Sequence, residues 1–168
     1  MSLAFSPGPA IVLAVLVAAV VGYLRRDAWV SAMVLGSTAL TMIAVVAVKL
    51  GVHRVRPPAF LQLTGETDAS YPSGHVAGIA ILAAATVCAL WPLLSAAWAR
   101  VLAVAAGVLI VALVAYSRFY LGAHWTTDVV AALALAGVAA LLVPATFTRA
   151  EPRARELLRA RAGVGRGR

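Results

Sequence analysis

The chain has 168 residues, of which 63% are hydrophobic and 12% charged. Soluble domains carry about 25% charged residues, so this composition excludes an ordinary soluble domain and indicates one domain in a lipid bilayer. The net charge of +8 does not indicate nucleic acid, because half of the 14 basic residues follow residue 148 and no stacking aromatic residues are interleaved with them. That basic segment is typical of a membrane flank.

Five apolar segments predict the elements of the fold, in the order 8–24, 29–50, 74–97, 101–121 and 126–147. A helix that crosses a bilayer needs about 20 residues, which these segments approach or reach. They are rich in Ala, Val, Leu and Gly and do not alternate with period two, so helices are favoured over a transmembrane barrel. We therefore predict an all-α, polytopic membrane helix bundle with about five transmembrane helices.

The links between the segments are short, except for a proline-containing loop over residues 51–73. Turns are predicted at 25–28 and 95–100, and residues 122–125 barely separate the last two segments. We assign residues 1–148 to one transmembrane domain. Residues 149–168 form a basic tail, whose Gly- and Arg-rich end is predicted to be disordered.

The distribution of Arg predicts the orientation. Arg25 and Arg26 lie two crossings before Arg100, and the basic tail follows after two more crossings, so all lie on one side. The positive-inside rule makes that side cytoplasmic in a multi-pass plasma membrane protein. The loop at 51–73 and the link at 122–125 are then extracytoplasmic.

Polar residues gather at the ends of the segments that face this outer side. They are Lys49, Arg56, Ser73, His75, Arg118, His124 and Asp128. So many polar groups at one face of an apolar bundle are costly unless they serve a function, which predicts an active site at the outer membrane face.

The cations and one helix start suit a phosphate group. Lys49, Arg56 and Arg118 offer an ammonium and two guanidinium groups to phosphate oxygens. Ser73 is a candidate N-cap of the third helix, and Gly74 permits close backbone approach there. The free N–H groups of such a helix start form an anion site.

Two histidines and one aspartate suit phosphoryl transfer. His124 and Asp128 are four residues apart, so Asp128 can bind one imidazole nitrogen while the other attacks phosphorus. His75 is then the general acid that protonates the leaving group. This scheme needs no metal and no other cofactor.

Three motifs carry a resemblance to a known family. They are K-x6-R-P from Lys49, P-S-G-H at 72–75, and S-R-x5-H-x3-D at 117–128. Together they resemble the signature of the type 2 phosphatidic acid phosphatase (PAP2) superfamily. The resemblance implies a helical fold, a phosphohistidine at His124 oriented by Asp128, and His75 as acid.

The same resemblance assigns phosphate binding to Lys49, Arg56, Ser73, Gly74 and Arg118. It also implies action without a metal. The substrates of such enzymes include phosphatidate, phosphatidylglycerophosphate and polyprenyl diphosphates. Bacterial membrane members commonly have six spans, and a helix before residue 8 would account for the difference.

We predict a membrane lipid phosphatase acting on a phosphomonoester or diphosphate, with an undecaprenyl-type diphosphate as leading substrate. A phosphatidylglycerophosphate or phosphatidate phosphatase is the alternative within this class. A non-catalytic lipid-phosphate binder or transporter is the alternative from another class, and a vanadium-dependent peroxidase is a third alternative. The predicted partners are the lipid phosphate and membrane lipids, without nucleic acid, and the oligomeric state is left open.

Several other polar residues have simpler interpretations. We interpret His53 and Arg54 as solvated loop residues, although Arg54 would also suit the second phosphate of a diphosphate. Glu66 and Asp68 are interpreted as part of a polar loop rather than as a metal pair. Trp91, Trp98 and Trp125 are interpreted as interfacial anchors.

Overall fold

The computed structural model describes residues 7–142, together with Ala145 and Pro152. This part of the chain contains five α-helices and no strand. In chain order they are α1 (Pro7–Arg25), α2 (Ala28–Val52), α3 (Gly74–Leu90), α4 (Ala97–Tyr120) and α5 (Thr126–Leu142). Short 3-10 helices at Ala59–Leu61 and Trp91–Leu93 complete the described structure. The predicted all-α class is confirmed.

Three of the helices are long and apolar enough to cross a membrane. They are α2, α3 with its 3-10 extension to Leu93, and α4, while α1 and α5 are shorter apolar helices within the described residues. Large apolar side chains such as Leu102, Val108 and Leu109 of α4 point outward and are exposed. Contiguous apolar surface of this kind marks a lipid-facing bundle.

Helix α3 lies at the centre of the bundle and packs against α1, α2 and α4. In lipid there is no hydrophobic force that drives helices together, so close packing must stabilise their association. Small side chains let these helices approach closely enough for such packing. One buried cluster joins α1, α2 and α3 through Ala14, Ala18, Val21, Val34, Leu82, Ala85 and Ala89. A second joins α2, α3 and α5 through Val45, Val76, Ala77, Val129 and Ala132.

The predicted boundary between the third and fourth helices is wrong. The turn expected at 95–100 begins earlier, because α3 ends at Leu90 and the chain continues as a 3-10 helix that contains Pro92. Proline has no N–H to donate to the α-helical ladder. Arg100 consequently lies in the first turn of α4, where its Nε donates to the Leu94 carbonyl at 2.8 Å.

The loop between α2 and α3 is fixed against the turn between α4 and α5. The amide of Leu63 donates to the carbonyl of Leu121 at 3.0 Å. Gly122 has φ +60, and a Cβ there would lie 2.0 Å from the carbonyl oxygen of Leu61. Only glycine fits this conformation and this close approach. The two segments therefore meet over one end of the bundle.

We call this end, where α2 and α4 finish and α3 and α5 begin, the site end. The other end holds Arg25 in the last turn of α1, Arg26 in the α1–α2 turn and Arg100 in the first turn of α4. The predicted tail at 149–168 lies outside the described residues, apart from Pro152.

Candidate active site

The predicted site residues all lie at the site end. Lys49 and Arg118 stand in the last turns of α2 and α4, and Arg56 lies in the following loop. Ser73 is the N-cap of α3, so Gly74 and the partly buried His75 occupy its first turn. His124 lies two residues before α5, and Asp128 is in the first turn of that helix.

His124 and Asp128 lie side by side in the protein interior. Nδ1 of His124 is 3.4 Å from Oδ2 of Asp128, whose side chain is fully buried. The same Oδ2 accepts a hydrogen bond from the amide of Trp125 at 2.9 Å. A separation of 3.4 Å is longer than an ordinary hydrogen bond, and such contacts commonly tighten when substrate binds.

The environment of His124 keeps its imidazole neutral near pH 7. Burial, which is the largest cause, and the positive charge of Arg56 together lower the pKa of His124 to about 4, although Asp128 acts in the opposite direction. Nη1 of Arg56 lies 3.4 Å from Nε2 of His124. Because arginine is only a donor, Arg56 favours the tautomer in which Nε2 carries a lone pair and the ring proton is on Nδ1 beside Asp128.

Arg56 is buried and its guanidinium is bonded on several sides. Nη1 donates to the carbonyl of Ala123 at 2.8 Å, and Nε donates to the carbonyl of Asp68, also at 2.8 Å. Nη1 lies 2.7 Å from a carboxylate oxygen of Glu66, and Nη2 lies 2.5 Å from one of Asp68. These contacts fix the guanidinium next to His124.

Glu66 and Asp68 bring the three predicted phosphate-binding cations together. Glu66 bridges Arg56 and Arg118, since its second oxygen is 3.5 Å from Nη1 of Arg118. Asp68 bridges Arg56 and Lys49, whose Nζ lies 2.5 Å away. Partial burial alone would raise the pKa of Asp68, but hydrogen bonds from Lys49 and Arg56 hold it below its ordinary value.

We define Lys49, Arg56 and Arg118 as the cation cradle. The interpretation of Glu66 and Asp68 as ordinary loop residues missed that both carboxylates lie in this cradle. No group of three His, Cys, Asp or Glu side chains that could hold a metal ion occurs within the described ranges.

The start of α3 adds polar groups to the site. The amide of Ser73 donates to the carbonyl of Asp128 at 3.1 Å, which joins α3 to α5. Ser73 is the predicted N-cap, but its fully buried Oγ makes no capping bond and has no hydrogen-bond partner in the described part of the chain. A Cβ at Gly74 would meet only ordinary contacts with Met42 and Val45 at 3.6 Å, so packing does not require glycine there.

Arg54 is a residue that sequence reasoning misjudged. Its Nη1 donates to Oδ1 of Asp128 at 2.9 Å and also to the hydroxyl of Thr127. Its guanidinium lies over the Trp125 ring, 5.8 Å from the centroid. The signal that could have found it is the need of a buried Asp128 for a cation, since Arg54 belongs to the same loop as Arg56. His53, by contrast, is exposed as expected.

The fold and the site define an all-α membrane protein with a cation cradle beside a paired histidine. The PAP2 superfamily model matches residues 30–152. This chain therefore belongs to the PAP2 superfamily, which confirms the resemblance drawn from the three motifs.

Two relatives illustrate the similarity. An undecaprenyl-diphosphatase of Sulfolobus acidocaldarius is 39% identical over 74 residues, which cover 44% of this chain and 32% of the relative. The match thus spans about a third of that protein's length. The crystal structure of a transmembrane PAP2-type phosphatidylglycerolphosphate phosphatase from Bacillus subtilis has a TM-score of 0.76 at 26% identity. That likeness covers 86% of this chain and 71% of the Bacillus chain.

Proposed function

We propose that the protein is a membrane lipid phosphatase that hydrolyses a phosphomonoester or diphosphate on a lipid through a phosphohistidine at His124, without a metal ion. The contact of Arg56 with two groups carries this proposal. Its Nη1 lies 2.7 Å from a carboxylate oxygen of Glu66 and 3.4 Å from Nε2 of His124. A cation that already holds an anion thus lies next to the nucleophile.

Phosphate binding requires the oxygens of the substrate to replace carboxylates in the cation cradle. Glu66 and Asp68 supply anionic oxygens to Lys49, Arg56 and Arg118. A phosphate offers the same kind of acceptor to the same donors. The buried Oγ of Ser73 and the N–H groups that begin α3 supply further donors.

The reaction begins with attack of Nε2 of His124 on phosphorus. A nitrogen–phosphorus bond forms as the bond from phosphorus to the leaving oxygen breaks, and His75 donates a proton to that oxygen. Asp128 stabilises the positive charge that develops on the imidazole ring, and the cation cradle stabilises the phosphoryl oxygens. Water then gives a proton to His75 and attacks phosphorus, which releases inorganic phosphate and restores His124.

The leading substrate is a polyprenyl diphosphate of the undecaprenyl type. The name of the Sulfolobus relative supports it, as does the predicted outward direction of the site. Phosphatidylglycerophosphate or phosphatidate is the alternative substrate, supported by the structural likeness to the Bacillus enzyme.

We also propose that the site end faces away from the cytoplasm. Arg25, Arg26 and Arg100 lie at the opposite end, which supports a cytoplasmic position for that end under the positive-inside rule. Residues 1–148 then form the membrane domain, and the tail at 149–168 is cytoplasmic.

The test is phosphate release in detergent with EDTA present. Undecaprenyl diphosphate, phosphatidylglycerophosphate and phosphatidate are offered to the wild-type protein and to His124→Ala. We expect release by the wild type only, and the preferred lipid identifies the substrate. Lipid binding without release by the folded wild type would favour a binder or transporter, and halide oxidation with vanadate would favour a peroxidase. Activity of His124→Ala equal to that of wild type would refute the mechanism.

A further inference from the structure

Asp128 is a buried carboxylate held from two directions. Oδ2 accepts from the amide of Trp125 and faces Nδ1 of His124, whereas Oδ1 accepts from the guanidinium of Arg54 at 2.9 Å. The Asp128 side chain has no exposed surface, so its charge requires compensation. The neutral imidazole of His124 supplies none, whereas Arg54 supplies a full positive charge.

Arg54 is itself held in place by residues that are close to Asp128 in the sequence. Its Nη1 also donates to the hydroxyl of Thr127, and its guanidinium lies over the ring of Trp125. Nε1 of Trp125 donates to the carbonyl of Val55 at 3.1 Å, which ties this ring back to the loop of Arg54. The Arg54 side chain is 36% exposed, so these contacts, rather than burial, set its position.

We propose that Arg54 is a positioning residue, which holds Oδ1 of Asp128 so that Oδ2 stays directed at Nδ1 of His124. This inference rests on the proposed function of His124 as nucleophile. With both carboxylate oxygens bonded, the carboxylate cannot rotate. Its Oδ2 then keeps the ring proton of His124 on Nδ1, which leaves the lone pair of Nε2 for phosphorus. Arg54 acts through Asp128 and does not bind the substrate.

The tautomer of His124 gives a test that does not depend on turnover. The chain contains three histidines, so the imidazole nitrogen signals of a 15N-histidine-labelled sample can be assigned with His→Gln variants. At neutral pH we expect the Nδ1–H form in the wild type and a mixture with the Nε2–H form in Arg54→Gln. Arg54→Lys keeps the charge, so the proportion of its Nδ1–H form should lie between those of the wild type and Arg54→Gln. An unchanged tautomer in folded Arg54→Gln and Arg54→Lys would overturn the proposal.

Kinetics separate positioning from substrate binding. Loss of the hydrogen-bond partner of a metal ligand commonly costs about 10–100-fold, and we expect a similar loss here. Arg54→Gln should lower kcat by about this factor on a lipid monophosphate and on a lipid diphosphate alike, with little change in KM. Arg26→Gln is the matched control, because Arg26 is exposed at the other end of α2. A rise in KM confined to the diphosphate would overturn the proposal, since Arg54 would then bind the second phosphate.

The outcomes of this experiment and of the functional test are distinct. A wild-type protein that releases no phosphate from any of the lipids contradicts the proposed function, while the tautomer measurement still decides the role of Arg54. If Arg54→Gln does not fold, Arg54→Lys decides it, because the proposal requires a measurable Nε2–H population in that variant too.

Discussion

The amide of Ser73 donates a hydrogen bond of 3.1 Å to the carbonyl of Asp128. This bond joins the N-cap residue of α3 to the first turn of α5, although the two residues lie far apart in the sequence. The P-S-G-H motif and the H-x3-D motif thus share one main-chain contact. Buried main-chain N–H and C=O groups are nearly always paired, and this bond places the start of α3 beside the first turn of α5.

The Asp128→Asn variant tests the role of the carboxylate beside His124. The side-chain amide of asparagine can turn its NH2 group toward Nδ1 of His124, which favours the wrong tautomer of the imidazole. The corresponding change in a serine protease triad costs about 10⁴-fold in kcat. We expect a loss of about 10²–10⁴-fold in kcat with a much smaller change in KM. Steady-state kinetics on the preferred lipid measure both. Asp27→Asn is the matched control, because Asp27 caps α2 at the other end and asparagine caps equally well.

His75 is tested through the leaving group of the substrate. An alkoxide leaving group needs a proton, whereas nitrophenolate leaves without one. We therefore expect His75→Gln to lower kcat on a lipid phosphate by about 10²–10⁴-fold but to lower it far less on para-nitrophenyl phosphate. Equal losses on the two substrates would mean that His75 has a role other than protonation of the leaving group.

The Glu66→Gln variant tests competition between the chain's own carboxylates and the substrate. Glu66 contacts Arg56 and Arg118, so its neutralisation frees both cations for phosphate. We expect KM to fall by a few fold, because the substrate phosphate then no longer competes with a carboxylate for the two buried guanidinium groups. Inhibition by inorganic phosphate should strengthen by the same factor. A higher KM would instead indicate that Glu66 helps to bind the lipid.

Much of this architecture could be predicted from the sequence, because long apolar segments allow few structures other than helices in a bilayer. Counting crossings then placed Lys49, Arg118 and His124 at one end. Among the helix boundaries within the described residues, the exception is the α3–α4 turn, because Pro92 interrupts an apolar run that hydropathy alone predicts to be continuous.

Contacts within the loop between α2 and α3 could not be predicted in the same way. This segment has no hydrophobic period, so nothing in its sequence assigns a direction to each side chain. The pairing of Arg54 with Asp128 and of Glu66 with Arg56 depends on where the loop folds back over the α4–α5 turn. That path is set by distant main-chain bonds, such as the one from Leu63 to Leu121.

Gly122 should be indispensable for this folded-back loop. Its φ of +60 is strained for alanine, and an added Cβ would lie 2.0 Å from the carbonyl oxygen of Leu61. We expect Gly122→Ala to lower the melting temperature in detergent and to reduce kcat, because His124 lies two residues further on. Gly65→Ala is the control in the loop between α2 and α3, since a Cβ there meets nothing within 4 Å. Equal stability of the two variants would contradict the close packing at Gly122.

The pH dependence of kcat/KM follows from the ionisation of His124. The imidazole attacks only when neutral, and burial together with the charge of Arg56 lowers its pKa to about 4. Protonation therefore removes the nucleophile only as the pH falls toward about 4, and activity should persist through the range near 6.5 in which an exposed histidine becomes charged. The measurement is kcat/KM from pH 3.5 to 8, with circular dichroism at each pH to confirm folding. An acidic limb near pH 6.5 would contradict the buried, neutral His124. Arg56→Gln removes a nearby positive charge, so the limb should move to higher pH in whatever activity that variant retains.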